Sequence, residues 1–257
     1  MQHEPWNETT LKAPRSDRYT ANQPLFFPLL YMMDRFQNVS HLVIMEEAQF
    51  SKFGHQARTQ IRTKNGEQHL TLPLKNRSFR PLNEIQVDQF PRFWRKFTGT
   101  LQTVYGKYEA YRALRPSLDE LGEDLQATWE RAPEAVTAAY MGEVSMMWCM
   151  MACGIRLPLV HRSMDLIPER PEDATAWIAE FGTELSCTEY LGGGAAMKNY
   201  IKPEVFDQAG IRLVSQEYAS PGYEGVAGRV GTGMVSVLDP LLVGGPELVQ
   251  ELLGAHA

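Results

Sequence analysis

Residues 41–47 read HLVIMEE. Four apolar residues in unbroken series follow a histidine and stop at an acidic pair. A strand with one wet face alternates polar and apolar residues, whereas an unbroken apolar run bounded by charge marks a strand covered on both faces, as in parallel sheets. Upstream, a strand ending near Gln23 leads into PLFFPLLYMMDRF, which sets Phe26, Phe27, Leu30, Met33 and Phe36 on one helical face. Downstream, CTEYLGGG is a short strand running into glycines, with a helix from Ala195. Pro203 then opens VFDQA, Gly210 stops it, and IRLVSQEY is a further strand. Strands alternating with helices predict an α/β fold, with a mixed or mostly parallel sheet, flanking helices and a helical middle segment.

Between these ends, Thr59, Ile61 and Thr63 alternate with Gln60 and Arg62, Asn65-Gly66 is a hairpin turn, and QHLTLPL is the returning strand. EIQVD, from Glu84, predicts another strand. The middle, about 91–154, is helical: Pro91 opens a helix with Phe93, Phe97, Leu101 and Val104 on one face, and Ser117 to Glu120 is a capping box predicting a second start. Pro133 begins a run through Met146–Met151 and Cys153 that ends at Gly154, with the methionines as core filler. Pro171 begins a helix stopped by Gly182, and SVLDPLL and PELVQELLGA are closing helices. A polar leader at 1–18, expected to be flexible, precedes a single domain at 19–257.

The 257-residue chain carries 25 Lys+Arg against 31 Asp+Glu, a net charge of −6 that argues against nucleic-acid binding as its main role. Three cysteines exclude a complete disulfide framework, and Cys149 and Cys153 read as core thiols four apart on a helix. The leader has no apolar signal core and no run is long enough to span a membrane, so the expected location is cytoplasmic.

In parallel sheets, sites gather beyond the carboxyl ends of strands, which points to Gln23, Glu46–Gln49 and Gly192–Gly194. P-loop, zincin and nucleophile-elbow motifs are absent. Polar residues crowd the stretch from 46 to 62: Glu47, Gln49, Lys52, His55, Gln56, Arg58 and Arg62. Glutamine supplies donors and acceptors, and arginine a planar fork for carboxylate or phosphate. His55 is the preferred base, because imidazole titrates near neutrality. His69 faces it across the hairpin without an evident third ligand, so no metal is expected. Cys187, near the glycines, is the one thiol retained as a nucleophile candidate.

The run NQPLFFPLLYMMDRF…LVIMEEAQFSKFGHQARTQIRTKNGEQHLTLPL resembles the WbqC-like family. Its signature is similar to His-Gln-Pro-x-Phe-Phe-Pro, a strand, an acidic pair, Gln-Phe-Ser-Lys, and a Gln-x-Arg hairpin ending Leu-Thr-x-Pro. Here these positions are Gln23 to Pro28, Glu46-Glu47, Gln49 to Lys52, Gln56, Arg58, Leu70, Thr71 and Pro73. TEYLGGGAAMKNYI, VFDQAGIRLVSQEY and MVSVLDPLLVGGPE extend the likeness to about residues 20–253. Two departures stand out: the leading His is Asn22, and the usual Asp pair is Glu46-Glu47. If the family His is a base, then either His55 replaces it or the chemistry differs.

The resemblance implies a biosynthetic enzyme of surface-polysaccharide or natural-product pathways. It would transfer an acyl or aminoacyl group from a carrier-protein or coenzyme A thioester to the amine of a small metabolite or amino sugar. The expected catalytic residues are His55, Glu47 and Cys187. The expected substrate-binding residues are Asn22, Gln23, Gln49, Lys52, Gln56, Arg58, Arg62, Tyr190, Gly192 and Gly193. No tightly bound cofactor is expected beyond the thioester donor, and an acyl or peptidyl carrier protein is the expected macromolecular partner. The alternative is a non-catalytic module that docks a partner or carrier protein.

Overall fold

The computed structural model describes residues 17–51, 54–76, 79–219, 221–228, 230–231 and 235–254. Five strands form one parallel sheet: β1 (Arg18–Asn22), β2 (His41–Ile44), β5 (Leu159–Arg162), β6 (Glu189–Gly192) and β7 (Arg212–Ser215), in the order β5-β2-β1-β6-β7. The hairpin β3 (Arg58–Thr63) with β4 (Gly66–Thr71) stands outside it, turning at Lys64 and Asn65. A second small pair joins β8 (Tyr223–Glu224) to β9 (Val230–Gly231). The α/β expectation thus resolves to a wholly parallel main sheet.

Both faces of the sheet are covered, as the HLVIM run requires. Leu42 and Ile44 enter one core with α1 (Leu30–Gln37), α2 (Phe90–Tyr105), α3 (Glu109–Arg131), α4 (Ala138–Ala152) and the closing helix α9 (Leu238–Gly254). Val43 and Met45 enter the other with Tyr19 and Ala21, against α6 (Ala174–Glu184) and α8 (Pro203–Gln208). Successive side chains leave a strand on opposite faces, so this division follows from the pleat. The link from β1 to β2 runs through α1 on the first face. The link from β6 to β7, through α7 (Gly194–Asn199) and α8, places Phe206 on the second. The chain therefore winds away from the central β1–β6 pair in both directions, which makes the carboxyl ends of those two strands the switch point at which open parallel sheets bind ligands.

Several local expectations change. EIQVD is not a strand: a tight turn at Leu82–Glu84 is followed by single bridges from Gln86 to Thr137 and from Val87 to Leu74. Ile85 and Val87 are fully buried there, so the alternation reflects a spacer pressed into two cores. Ser117–Glu120 lies inside α3, where Ser117 Oγ donates to the Leu114 carbonyl instead of capping a start. Pro116 is also internal to α3, and the helix continues because Leu118, Leu121 and Leu125 pack on the core. Helix α6 starts at Ala174 with Asp173 capping it, and runs through Gly182, whose missing Cβ leaves room for the Tyr19 ring. β5 was not expected: it is a four-residue, half-exposed edge strand with no apolar run. Gly154 and Gly210 do stop helices with positive φ, and Gly245 breaks the closing helix in two. Of the leader expected at 1–18, residues 1–16 lie outside the described residues, whereas Arg18 already begins β1 and pairs with Glu189. Among the described residues no helix is long and apolar enough to cross a membrane.

Candidate functional site

The loop after β1 is built on a turn. Phe27 holds a left-handed backbone (φ 46°), a costly conformation for a bulky residue, and three hydroxyls secure it. Its N–H donates to Ser145 Oγ (3.0 Å), while its carbonyl accepts from Thr59 (2.8 Å) and Ser236 (3.1 Å). The turn ties the end of β1 to the hairpin, and Phe26 N–H reaches the His55 carbonyl at 3.2 Å. Residues 23 and 54–56, far apart in sequence, so come together at the carboxyl rim.

Gln56 is buried and fixed in orientation. Its Oε1 accepts from the Ser51 N–H at 2.7 Å, so its Nε2 is the donor. That Nε2 donates to Gln23 Oε1 at 2.5 Å and to the Gln49 carbonyl at 3.3 Å. Gln23 is held through its oxygen, so the two N–H donors of its exposed side chain are not used in that bond. Gln49 contributes its backbone, and its side chain is exposed. His55 is half-buried, and burial, the Arg58 guanidinium and His69 all push its pKa down, so the ring is neutral near pH 7. Its Nδ1 has no hydrogen-bond partner among the described residues. Arg58 is half-buried at the start of β3, and His69 is exposed on β4. Among the described residues no group of three or more His, Cys, Asp or Glu is placed to hold a metal ion.

The acidic pair divides its work. Glu46, buried at the end of β2, accepts from Ser163 N–H (2.9 Å), Ser163 Oγ (2.8 Å) and Met164 N–H (3.3 Å). It thereby ties the end of β2 to the short helix α5 (Ser163–Leu166) that follows β5. Glu47 is half-buried, and burial together with the Glu46 charge raises its pKa against the opposing pull of Arg170. A carboxyl group held nearer protonation at a strand end is suited to acid–base work.

At the switch point between β1 and β6, the chain assembles groups that the sequence reading missed. Arg35, on α1 and 7% exposed, reaches the ends of three strands. Its Nε and Nη2 donate to Gln216 Oε1 at 3.0 and 2.9 Å, and its Nη1 to Asn22 Oδ1 at 3.4 Å. Gln216, just beyond β7, is oriented in turn by donating to the Tyr31 carbonyl and Asp34 Oδ2, both at 2.7 Å. Asn22 donates from Nδ2 to the Gln23 carbonyl at 2.7 Å, so both ends of its amide are occupied. A Cβ at Gly193 would fall 2.4 Å from Arg35 Nη2, which explains that glycine as the floor against which the guanidinium lies. Gly192 has a similar constraint from Met197 and the Tyr190 ring. Tyr190 is buried beside Tyr19 and Phe206, and burial lifts its hydroxyl to about 12 despite the nearby Arg35 charge. The signals available in the sequence were an arginine set among the apolar residues of YMMDRF and a glutamine near the end of the IRLVSQEY run.

Two sequence candidates sit elsewhere, and a third is not among the described residues. Arg62 is buried against Asp239, with Nη1 3.7 Å from Oδ2, where Tyr105 and Tyr223 also donate to the carboxylate (2.6 and 2.5 Å). Cys187 precedes β6 at its amino end, so the length of the strand separates it from the carboxyl rim. It is 4% exposed, and burial and Asp17 raise its thiol to about 11, the reverse of an activated nucleophile. Lys52 lies outside the described residues. Cys149 and Cys153 are buried thiols of the first core.

A family model described as WbqC-like protein family matches residues 23–251 of the chain. No curated protein and no solved structure matches it.

Proposed function

The chain belongs to the WbqC-like protein family, and from that premise we propose that it is an N-acyltransferase working at the carboxyl rim of the parallel sheet. Its donor is an acyl or aminoacyl thioester of coenzyme A or a carrier protein, and its acceptor is the amine of a small metabolite or amino sugar. The observation that carries this reading is the ordered chain Ser51–Gln56–Gln23. It leaves the two amide N–H donors of Gln23 at the carboxyl rim, and the residue preceding Gln56 is His55, whose imidazole is neutral.

In the reaction the amine nitrogen attacks the thioester carbonyl carbon and a C–N bond forms. His55 accepts the proton lost by nitrogen, a role suited to an imidazole already neutral at working pH. Negative charge gathers on the carbonyl oxygen, where Gln23 N–H donors stabilise it. The C–S bond then breaks, and the thiolate leaves with the proton returned by the base. Glu47 orients the acceptor amine as its second proton partner. Asn22, spent on Gln23 and Arg35, takes no part in proton transfer, which fits His55 as the base in a chain lacking the family's leading histidine.

The test incubates purified protein with acetyl-coenzyme A or acyl-carrier thioesters and a panel of amines, including an amino sugar, and measures amide product by mass spectrometry. Product that disappears in His55→Ala supports the reading. Binding of carrier protein with no turnover of any thioester refutes it in favour of a docking module.

A further inference from the structure

The switch point of the sheet, between the ends of β1 and β6, holds a buried positive charge that the described part of the molecule does not neutralise. Arg35 is more than nine-tenths buried, yet its three hydrogen bonds all go to neutral amide oxygens, two to Gln216 and one to Asn22. No described carboxylate pairs with it. The comparison within the molecule is direct: Arg18 has Glu189, Arg162 has Glu143, and the equally buried Arg62 has Asp239. Removing a guanidinium from water without an opposite charge is unfavourable, and folds accept it where a ligand supplies the missing charge.

The geometry agrees. A guanidinium carries five N–H donors in a planar fork, and Arg35 uses three of them, so two are left for a ligand. Its neighbours hold it still. Gln216 is pinned by the Tyr31 carbonyl and Asp34, Asn22 by the Gln23 carbonyl, and the Tyr31 ring centroid lies 5.9 Å from Arg35 Cζ. Gly193 lacks the side chain that would collide with Nη2. These groups come from the ends of β1, β6 and β7, the place where open parallel sheets bind ligands.

We propose that Arg35, set by Asn22, Gln216 and Gly193, is the oxyanion-group subsite of this protein and binds the carboxylate or phosphate of a small-molecule ligand through its two remaining N–H donors. As a substrate handle the subsite rests on the rim being the reaction centre, since Asn22 joins it directly to Gln23. The anion subsite expected at Arg58 and Arg62 is in this account supplied by Arg35, because Asp239 already balances Arg62.

The test follows the Arg35 Nε–H signal by ¹H–¹⁵N NMR while acetate, phosphate or chloride is added at matched ionic strength. The signal is assigned by its loss in Arg35→Lys. Thermal unfolding is measured in parallel. A saturable shift with acetate or phosphate, and a melting-temperature rise that Arg35→Lys loses at least tenfold in anion affinity, supports the proposal. The stronger of the two anions identifies the ligand's group. Arg115→Gln, an exposed arginine of α3, retains the response. No shift with either anion, or an equal thermal response in wild type and Arg35→Lys, overturns it. The outcome is separable from the acyl-transfer reading: anion binding without thioester turnover removes that reading and leaves the subsite, whereas turnover with an unresponsive Arg35 does the opposite.

Discussion

Arg62→Met tests whether the second buried arginine belongs to the scaffold or to the site. The Asp239 carboxylate is completely buried, and it accepts from Tyr105, Tyr223 and the Arg62 main-chain N–H (3.3 Å) while facing the Arg62 guanidinium. Burial and the Asp239 charge raise the pKa of both tyrosines, so their hydroxyls stay protonated as donors. Methionine matches the stem of arginine but leaves the carboxylate without its cation. Breaking a buried ion pair from one side costs about 3–5 kcal/mol. The hydroxyl bonds survive here, so the lower end applies, about 3 kcal/mol. For a chain of this size that lowers the melting temperature by about 6–12 °C. Calorimetry with guanidinium unfolding at unchanged slope is the assay. The double variant Arg62→Met/Asp239→Asn removes the stranded charge and recovers part of the loss, giving a coupling of about 0.5–3 kcal/mol. A single variant within about 2 °C of wild type, or strict additivity in the cycle, refutes the structural role and returns Arg62 to the substrate site.

Three further outcomes follow. Cys187→Ser retains full turnover, and intact-protein mass spectrometry under rapid quench finds no acyl adduct on the wild type; an adduct that the variant loses would restore the thiol as nucleophile. Glu47→Gln melts higher than wild type at neutral pH: the folded pKa of Glu47 is raised, so its favourable contribution belongs to the protonated form and is lost as pH rises through that pKa. The gap closes as pH falls into the ordinary carboxylate range, and a gap independent of pH contradicts the cause. His41 and His161, with ring nitrogens 3.0 Å apart, both have folded pKa values lowered mainly by burial. Their contribution is therefore complete above the unfolded value of about 6.5 and lost as pH falls below it. Melting temperature drops between about pH 7.5 and 5.5, and His161→Asn reduces that drop.

The sheet was legible because its signal is local: HLVIM must be covered on both faces, and three strands are followed by helices with Pro or Gly at their boundaries. β5 was not, since a half-exposed edge strand of four residues carries neither an apolar run nor alternation. EIQVD misled because Ile85 and Val87 point into cores without joining a sheet. For the site, strand ends located Gln23, Glu46-Glu47 and Gly192-Gly193 correctly on the rim, and Gln56 meets Gln23 there. Arg35 and Gln216 stayed hidden because they are 181 positions apart and become one unit only when α1 folds over the ends of β1, β6 and β7. The reverse held for Arg62, whose counter-charge is 177 positions away in α9.

The most direct measurement is the initial rate of amide formation from an acyl thioester and an amine, comparing wild type with His55→Ala and Gln23→Ala at equal folded concentration. The rate falls by about 10²–10⁴ without the base and by about 10²–10³ without the amide donor, with melting temperatures little changed. Wild-type rates in both variants would contradict it.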